Sequence, residues 1–460
     1  MILYAIFGAS TLRFGAMLGS FTFIYKFVLN SLPLLPMDAQ LAIAQFFSSR
    51  DLSEAFYSKS YGDSPLDSGY ELGIPLHKPR SRLERLKAET IAEEPRKKTS
   101  LSLTGKFNYS RIHVARWHAF AAGAFAGFSV LFQKGEQRTM VAQQMFVRGL
   151  QGSWNAWSPR WGIHVPYGTF VVFGLCCGQI MYSFLLRPDA IPESYNRWIL
   201  RASMAKPESF PINRSAYRKG TFPIDAMEKL MKRPDNTAYN LSVMQSMVER
   251  AKQGDFSNVR ITCETIHPWI DSCLYVEVDR FIKVFSWMFP VYGALHFIPM
   301  LLFRRKMFMR EPLLMLLKSF KGTVRSSTFL SVFVFIFQSL LCIRIQAYQS
   351  KWAQQLMSRK FRDALFMSRI SWWLSGSMCG LALLVEEKRR RAELTMYVLP
   401  RSLESAWSML RGKGWLPIIP GGESLLCSLG MGMMMSTYQC DPEHLSGLIR
   451  RVLYQFIGPN

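Results

Sequence analysis

The stretch RWHAFAAGAFAGFSVLFQKGEQRTMVAQQMFVRGLQGSW (Arg116–Trp154) lies without a gap on RISWWLSGSMCGLALLVEEKRRRAELTMYVLPRSLESAW (Arg369–Trp407). Arg116, Gly123, Gly127, Leu131, Arg138, Arg148, Leu150 and Trp154 fall on Arg369, Gly376, Gly380, Leu384, Arg391, Arg401, Leu403 and Trp407. That is eight identities in 39 positions, more than shared apolar composition usually gives. In both stretches an apolar run punctuated by glycine leads into a charged helix that ends in Trp. Such self-similarity points to a duplicated unit.

The match extends outward from these central segments. A leading segment, Thr11–Leu29, lies on Thr323–Leu341 and pairs Leu18, Phe21, Phe23 and Ile24 with Leu330, Phe333, Phe335 and Ile336. In a trailing segment, Gly174 and Tyr182 fall on Gly430 and Tyr438. The expected organisation is a first membrane repeat over 1-212 with a polar insert at 31-111, a polar linker over 213-262, and a second membrane repeat over 263-460. The insert carries the charged run Lys78–Lys98, and Asp441–Asn460 reads as an amphipathic tail.

At 460 residues and 49% hydrophobic content the totals look ordinary, but long apolar runs alternate with basic stretches. Crossing the hydrocarbon core takes about 20 apolar residues. The candidate runs are Ile2–Leu29, Trp117–Phe132, Tyr167–Leu186, Phe281–Phe303, Ser326–Ile345, Ile370–Val385 and Ser424–Tyr438, of which the short Trp117–Phe132 and Ile370–Val385 each either cross obliquely or form a buried helix. Several such runs in one chain are rare in soluble folds, so the sequence predicts an all-α, polytopic membrane protein. Ile2–Leu29 is too long and has the wrong flanks for a cleaved signal, and its match to Ser326–Ile345 makes it a retained helix. If all seven cross, the two copies are offset by four spans and run parallel rather than inverted.

The net charge of +24 does not sit with a nucleic-acid-binding fold. Arg304, Arg305, Lys306 and Arg310 follow one apolar run, and Lys388, Arg389, Arg390 and Arg391 follow another. Charges so placed are expected at headgroup depth, where each gains roughly 1 kcal/mol from anionic lipid. Basic loops on nearly every side leave the orientation open. Glu386 and Glu387 read as an interfacial stop, and the shared pairs Arg138/Arg391 and Arg148/Arg401 as snorkelling residues.

Small residues one helical turn apart recur at Gly15/Gly19, Gly123/Gly127, Gly174/Gly178 and Gly376/Gly380, and again at Ser428, Gly432 and Ser436. In lipid this spacing lets helix backbones approach closely, so Gly15, Gly19, Gly123, Gly127, Gly174, Gly178, Gly376, Gly380 and Gly432 are expected packing positions.

Cys263, His267 and Cys273 have no fourth ligand nearby in sequence, and Pro268 and Trp269 favour a structural turn over a metal site. Cys176, Cys177, Cys342, Cys379 and Cys427 read as buried small residues inside apolar spans. Sequons at Asn108, Asn213 and Asn240 add little. No catalytic motif stands out. Gly376-Ser377-Met378-Cys379-Gly380 has Met where a nucleophile elbow needs Ser. The expectation is a non-enzyme with no cofactor and no metal.

Four stretches together resemble the transmembrane protein 135 family: Cys263–Cys273 around His267-Pro268, Arg13–Lys26, Glu386–Arg391, and the carboxyl-terminal Leu445–Asn460. The likeness covers most of the chain outside Ser31–Arg111 and Arg214–Arg260. The central segments, with Gly123/Gly127, Arg138 and Arg148, are similar at greater distance to inner-membrane preprotein translocase channel subunits. The first resemblance implies an integral protein of peroxisomal or mitochondrial membranes acting in lipid handling and organelle dynamics. The second implies a channel-like subunit for protein or solute passage. Expected partners are membrane lipids and other organelle-membrane proteins, not nucleic acid. The Cys/His stretch and Phe281–Phe303 have no counterpart before Ile2, so either the first copy is shorter or an amino-terminal portion is missing.

Overall fold

The structure, a computed structural model, describes residues 8–36, 116–204, 206–218, 221–254 and 262–458. Most of the polar insert, including Lys78–Lys98 and the Asn108 sequon, lies outside the described residues. The described residues are helical and contain no strand. In chain order the main helices begin with α1 (Ala9–Ser31), α2 (Arg116–Gly127), α3 (Gly135–Trp157) and α4 (Gly168–Leu186). The polar middle gives α5 (Glu193–Ala202), α6 (Ser209–Arg218), α7 (Ile224–Met231) and α8 (Ala238–Lys252). Then follow α9 (Cys273–Phe303), α10 (Pro312–Gln349), α11 (Arg369–Met378), α12 (Lys388–Gly412), α13 (Gly422–Cys440) and α14 (Gly447–Ile457). Several starts are fixed by hydroxyl caps. The side chains of Thr237, Ser272 and Ser368 accept from the backbone N–H of Asn240, Tyr275 and Ser371.

Four helical stretches are long and apolar enough to cross a membrane: Ala9–Leu34, Gly168–Leu186, Cys273–Leu302 and Pro312–Gln349. The other three candidate runs do not reach that length and apolarity among the described residues. Trp117–Phe132 and Ile370–Val385 each break after a short helix into a 3-10 turn, at Phe128–Phe132 and Cys379–Leu384. At about 1.5 Å per α-helical and 2.0 Å per 3-10 residue, the two runs reach about 28 and 27 Å, each with a change of winding part-way. Ser424–Tyr438 lies in α13, a helix long enough but diluted by Ser, Thr and Gln.

The chain divides into two compact units, one running to Trp161 and resuming at Gly421, the other Gly162–Pro420. These do not follow the boundaries 1-212, 213-262 and 263-460. The reason is which helices pair. In the first unit α13 packs on α2 and α3, and α1 packs on α2. In the second, α4 packs on α11 and α12, while α9 and α10 form a hairpin and α10 meets the 3-10 turn after α11. Each central segment is therefore completed by the trailing helix of the other sequence copy.

The trailing helices correspond closely. Both α4 and α13 have 19 residues, and both start from a left-handed residue, Tyr167 at φ 57° and Gly421 at φ 68°. Both run into a 3-10 turn, Pro188–Ala190 and Pro442–His444, then a helix, α5 and α14. The contacts correct the register inferred above. Gly127 faces Ser428 as Gly380 faces Gly174, so Gly174 corresponds to Ser428, and the pairing with Gly430 is two residues off. Helices this rich in small and apolar residues offer little to pin an alignment.

Glycine is required where these backbones touch. A Cβ on Gly123 would come 2.6 Å from the Met431 carbonyl oxygen, and one on Gly127 2.6 Å from the Ser428 Cα. In the second unit a Cβ on Gly380 would stand 2.9 Å from the Gly174 Cα, and one on Gly376 3.1 Å from the Cys177 carbonyl oxygen. Gly174 faces Ser377, Gly178 the Trp373 ring, and Gly432 the Phe120 carbonyl. Gly15 and Gly19 are corrected: a Cβ on either meets nothing within 4 Å among the described residues. α1 turns Met17, Phe21 and Tyr25 inward, which leaves the two glycines on a groove lined also by Leu18 and Thr22.

Candidate functional site

The second unit holds a partly open cavity of about 520 Å³, within the roughly 300–1,000 Å³ of small-molecule sites. Its walls are almost wholly apolar. α4 contributes Phe173, Ile180 and Phe184, α9 Met288 and Tyr292, α10 Phe329, Phe333 and Phe337, and α12 Leu394 and Val398. α5, α6 and α11 add Trp198, Phe210 and Trp372. Phe173 meets Phe329 at 6.2 Å between ring centroids, and Phe184 meets Phe210 edge-on at 5.0 Å.

Polar groups are few among the lining residues: Ser203, Lys206, Ser209, Arg280 and Gln338. Arg280, on the first turns of α9, is 4% exposed. Its Nη1 donates to Gln338 Oε1 at 2.6 Å, and its guanidinium carbon lies 5.5 Å from the Trp269 ring centroid. Its Nε and Nη2 have no hydrogen-bond partner among the described residues. Unmet donors on a buried cation are costly and point to a missing acceptor. Lys206 Nζ sits 5.1 Å from the same Trp269 ring, and 3.6 Å from Asp235. The hydrogen bond from Arg233, with its positive charge, holds the Asp235 carboxyl below the ordinary range. Two cations thus share one indole beside an apolar chamber.

Beside Arg280, Gln338 also donates from Nε2 to Cys342 Sγ at 3.1 Å. Cys342 stands with Cys263, His267 and Cys273, their ligand atoms all within 4.8 Å of one another. The reading that no fourth ligand accompanies the Cys/His stretch is therefore corrected. α10 delivers it from far along the chain, and Cys342 had looked like one more thiol in an apolar span. Asn240, buried, donates to the carbonyls of Pro268 and Ile270 at 3.2 and 3.3 Å and pins this loop, so its sequon is spent on structure.

The basic residues divide. Arg304, Arg305 and Arg310 are exposed at the turn between α9 and α10, where Lys306 also stands. Lys388 and Arg389 are exposed too. Arg390 and Arg391 are only partly exposed and make contacts within the protein. Arg390 reaches Ser326 Oγ at 2.8 Å and Glu386 Oε1 at 3.2 Å, and Glu386 is only 1% exposed. Arg391 donates to the Glu386 and Leu384 carbonyls at 2.9 and 3.0 Å, closing the 3-10 turn. Arg138 does the same to the Gln133 carbonyl at 3.1 Å, and Arg148 and Arg401 bond Gln151 and Glu404 one turn on. These shared arginines each satisfy a neighbouring acceptor. No family model, curated protein or solved structure matches the chain.

Proposed function

We propose that this chain is an integral membrane protein that binds a lipid in the second unit, with the apolar tail in the cavity and an anionic group on Arg280. The reading rests on one observation: a buried arginine with two unmet donors lining a mostly apolar chamber. Lys206 adds a second cation near the same end. A carboxylate or phosphate accepts from guanidinium with geometry that water or an apolar ligand cannot supply. The protein acts by binding rather than catalysis, in the lipid handling of a peroxisomal or mitochondrial membrane. On this reading the matched segments form two parallel repeats that exchange their trailing helices.

The test is lipid analysis of the full chain purified in mild detergent. The wild type should retain a specific anionic lipid in stoichiometric amount. Arg280→Gln should lose the headgroup preference, and Val398→Trp, which fills the chamber, should lose the lipid itself. Equal lipid content in all three proteins would reject the proposal. Reconstituted protein that passes solute, with Arg280→Gln altering conductance instead of lipid content, would favour the channel-like alternative.

A further inference from the structure

We infer that Cys263, His267, Cys273 and Cys342 hold a structural zinc ion. Three thiols and one imidazole form a four-ligand set of the Cys₃His kind that closed, tetrahedral zinc sites use. Their ligand atoms lie within 4.8 Å of one another, and Cys273 Sγ is 3.5 Å from His267 Nε2. Zinc bonded at about 2.3 Å to sulfur and about 2.0 Å to nitrogen sets its ligands roughly 3.5–3.8 Å apart. A slight contraction of the cluster would reach that spacing.

The surroundings fit a metal better than a chance meeting of thiols. His267 Nδ1 lies 2.7 Å from the Ile270 carbonyl oxygen, which fixes the Nδ1–H tautomer and leaves the Nε2 lone pair facing the sulfurs. Metal-bound histidines are oriented in this way. Amide donors face the sulfurs: Gln338 Nε2 at Cys342, and Gln346 Nε2 at Cys263, 3.6 Å away. Such donors stabilise thiolate charge. Three thiolates and zinc sum to one negative charge, and Gln338 links that charge directly to the Arg280 cation. The three cysteines are unpaired as thiols, and Cys263, His267 and Cys342 are buried. The ion would fasten the Cys263–Cys273 loop to α10 and so close the polar end of the cavity.

Zinc would be measured in the full chain, purified in detergent under reducing conditions from cells grown with ample zinc. The wild type and Cys440→Ser, an exposed cysteine outside the cluster, should each carry one zinc per chain. Cys342→Ser and His267→Ala should lose it. In case those variants fold poorly, the wild type should also be loaded with cobalt(II). Tetrahedral thiolate ligation then gives strong visible bands and a thiolate-to-cobalt charge-transfer band, and chelation should expose three cysteines to alkylation together. Substoichiometric zinc in the wild type with no cobalt spectrum would overturn the inference. So would a Cys263–Cys342 or Cys263–Cys273 disulfide found by mass spectrometry in that reduced wild-type protein. The zinc result is independent of Arg280→Gln, so failure of the lipid reading leaves it standing.

Discussion

Gly380 packs so closely on Gly174 that a Cβ added to it would lie 2.9 Å from the Gly174 Cα. Two backbones in near contact can be achieved only with hydrogen as the side chain. Gly127 stands in the same relation to Ser428 at 2.6 Å. Leu at either glycine forces the pair apart, at a cost of at least about 1–3 kcal/mol for overpacking. Gly380→Leu and Gly127→Leu should therefore lower the melting temperature in detergent, while Gly15→Leu and Gly19→Leu, whose added side chains meet nothing within 4 Å among the described residues, should not. Equal effects at all four positions would contradict the packing described.

Glu386 is a buried carboxylate held by Arg390 and Ser326. Removing the arginine alone strands the charge, and an unmet buried group costs on the order of 1–3 kcal/mol. Arg390→Met should destabilise more than the double change Arg390→Met with Glu386→Gln. A double-mutant cycle showing simple additivity would rule out the pairing.

The exposed and inward arginines should separate by lipid dependence. Changing Arg304, Arg305 and Arg310 to Gln should weaken association with anionic vesicles and leave stability in neutral lipid unaltered, with the difference shrinking as salt rises. Arg391→Gln, which uncaps the Leu384 and Glu386 carbonyls, should lose stability equally in both lipids. Anionic-lipid dependence of the Arg391 variant would restore it to the headgroup group.

Asp441 joins Arg116 and Arg160, the latter at 3.1 Å, and both guanidinium groups flank the Trp157 ring at 5.6 and 5.2 Å. Asp441→Ala removes the anion shared by the largely buried Arg116 and the more exposed Arg160, a loss on the order of 1–3 kcal/mol. Trp157 fluorescence should report its unfolding at lower denaturant. A midpoint unmoved by the substitution would show that the cluster contributes nothing.

Local features of the fold were legible in sequence, and long-range ones were not. The central match stood out because glycines and arginines mark positions where a backbone touches or a carbonyl needs a donor. Arg138 and Arg391 each donate to the equivalent carbonyl of the same turn, a role that the sequence match alone did not reveal. Partner choice is different. Nothing periodic in α4 says that it packs on α11 and α12, since an apolar, glycine-bearing face fits any similar face. Cys342 was hidden for a related reason: a thiol in an apolar run has no signature until another segment brings ligands to it. The cavity is lined by residues from α4, α5, α6, α9, α10, α11 and α12 and belongs to no single stretch.

The pairing of α13 with α2 and α3 also fixes an order of events during synthesis. When α2 and α3 leave the ribosome their partner helix has not yet been made, and they must persist with a bare face until Gly422–Cys440 emerges. α4, made early, likewise waits for α11 and α12. A nonsense codon just after Pro420 would then spare the nearer, longer unit and orphan the beginning of the polypeptide. The earliest-made helices would be the ones exposed to quality control.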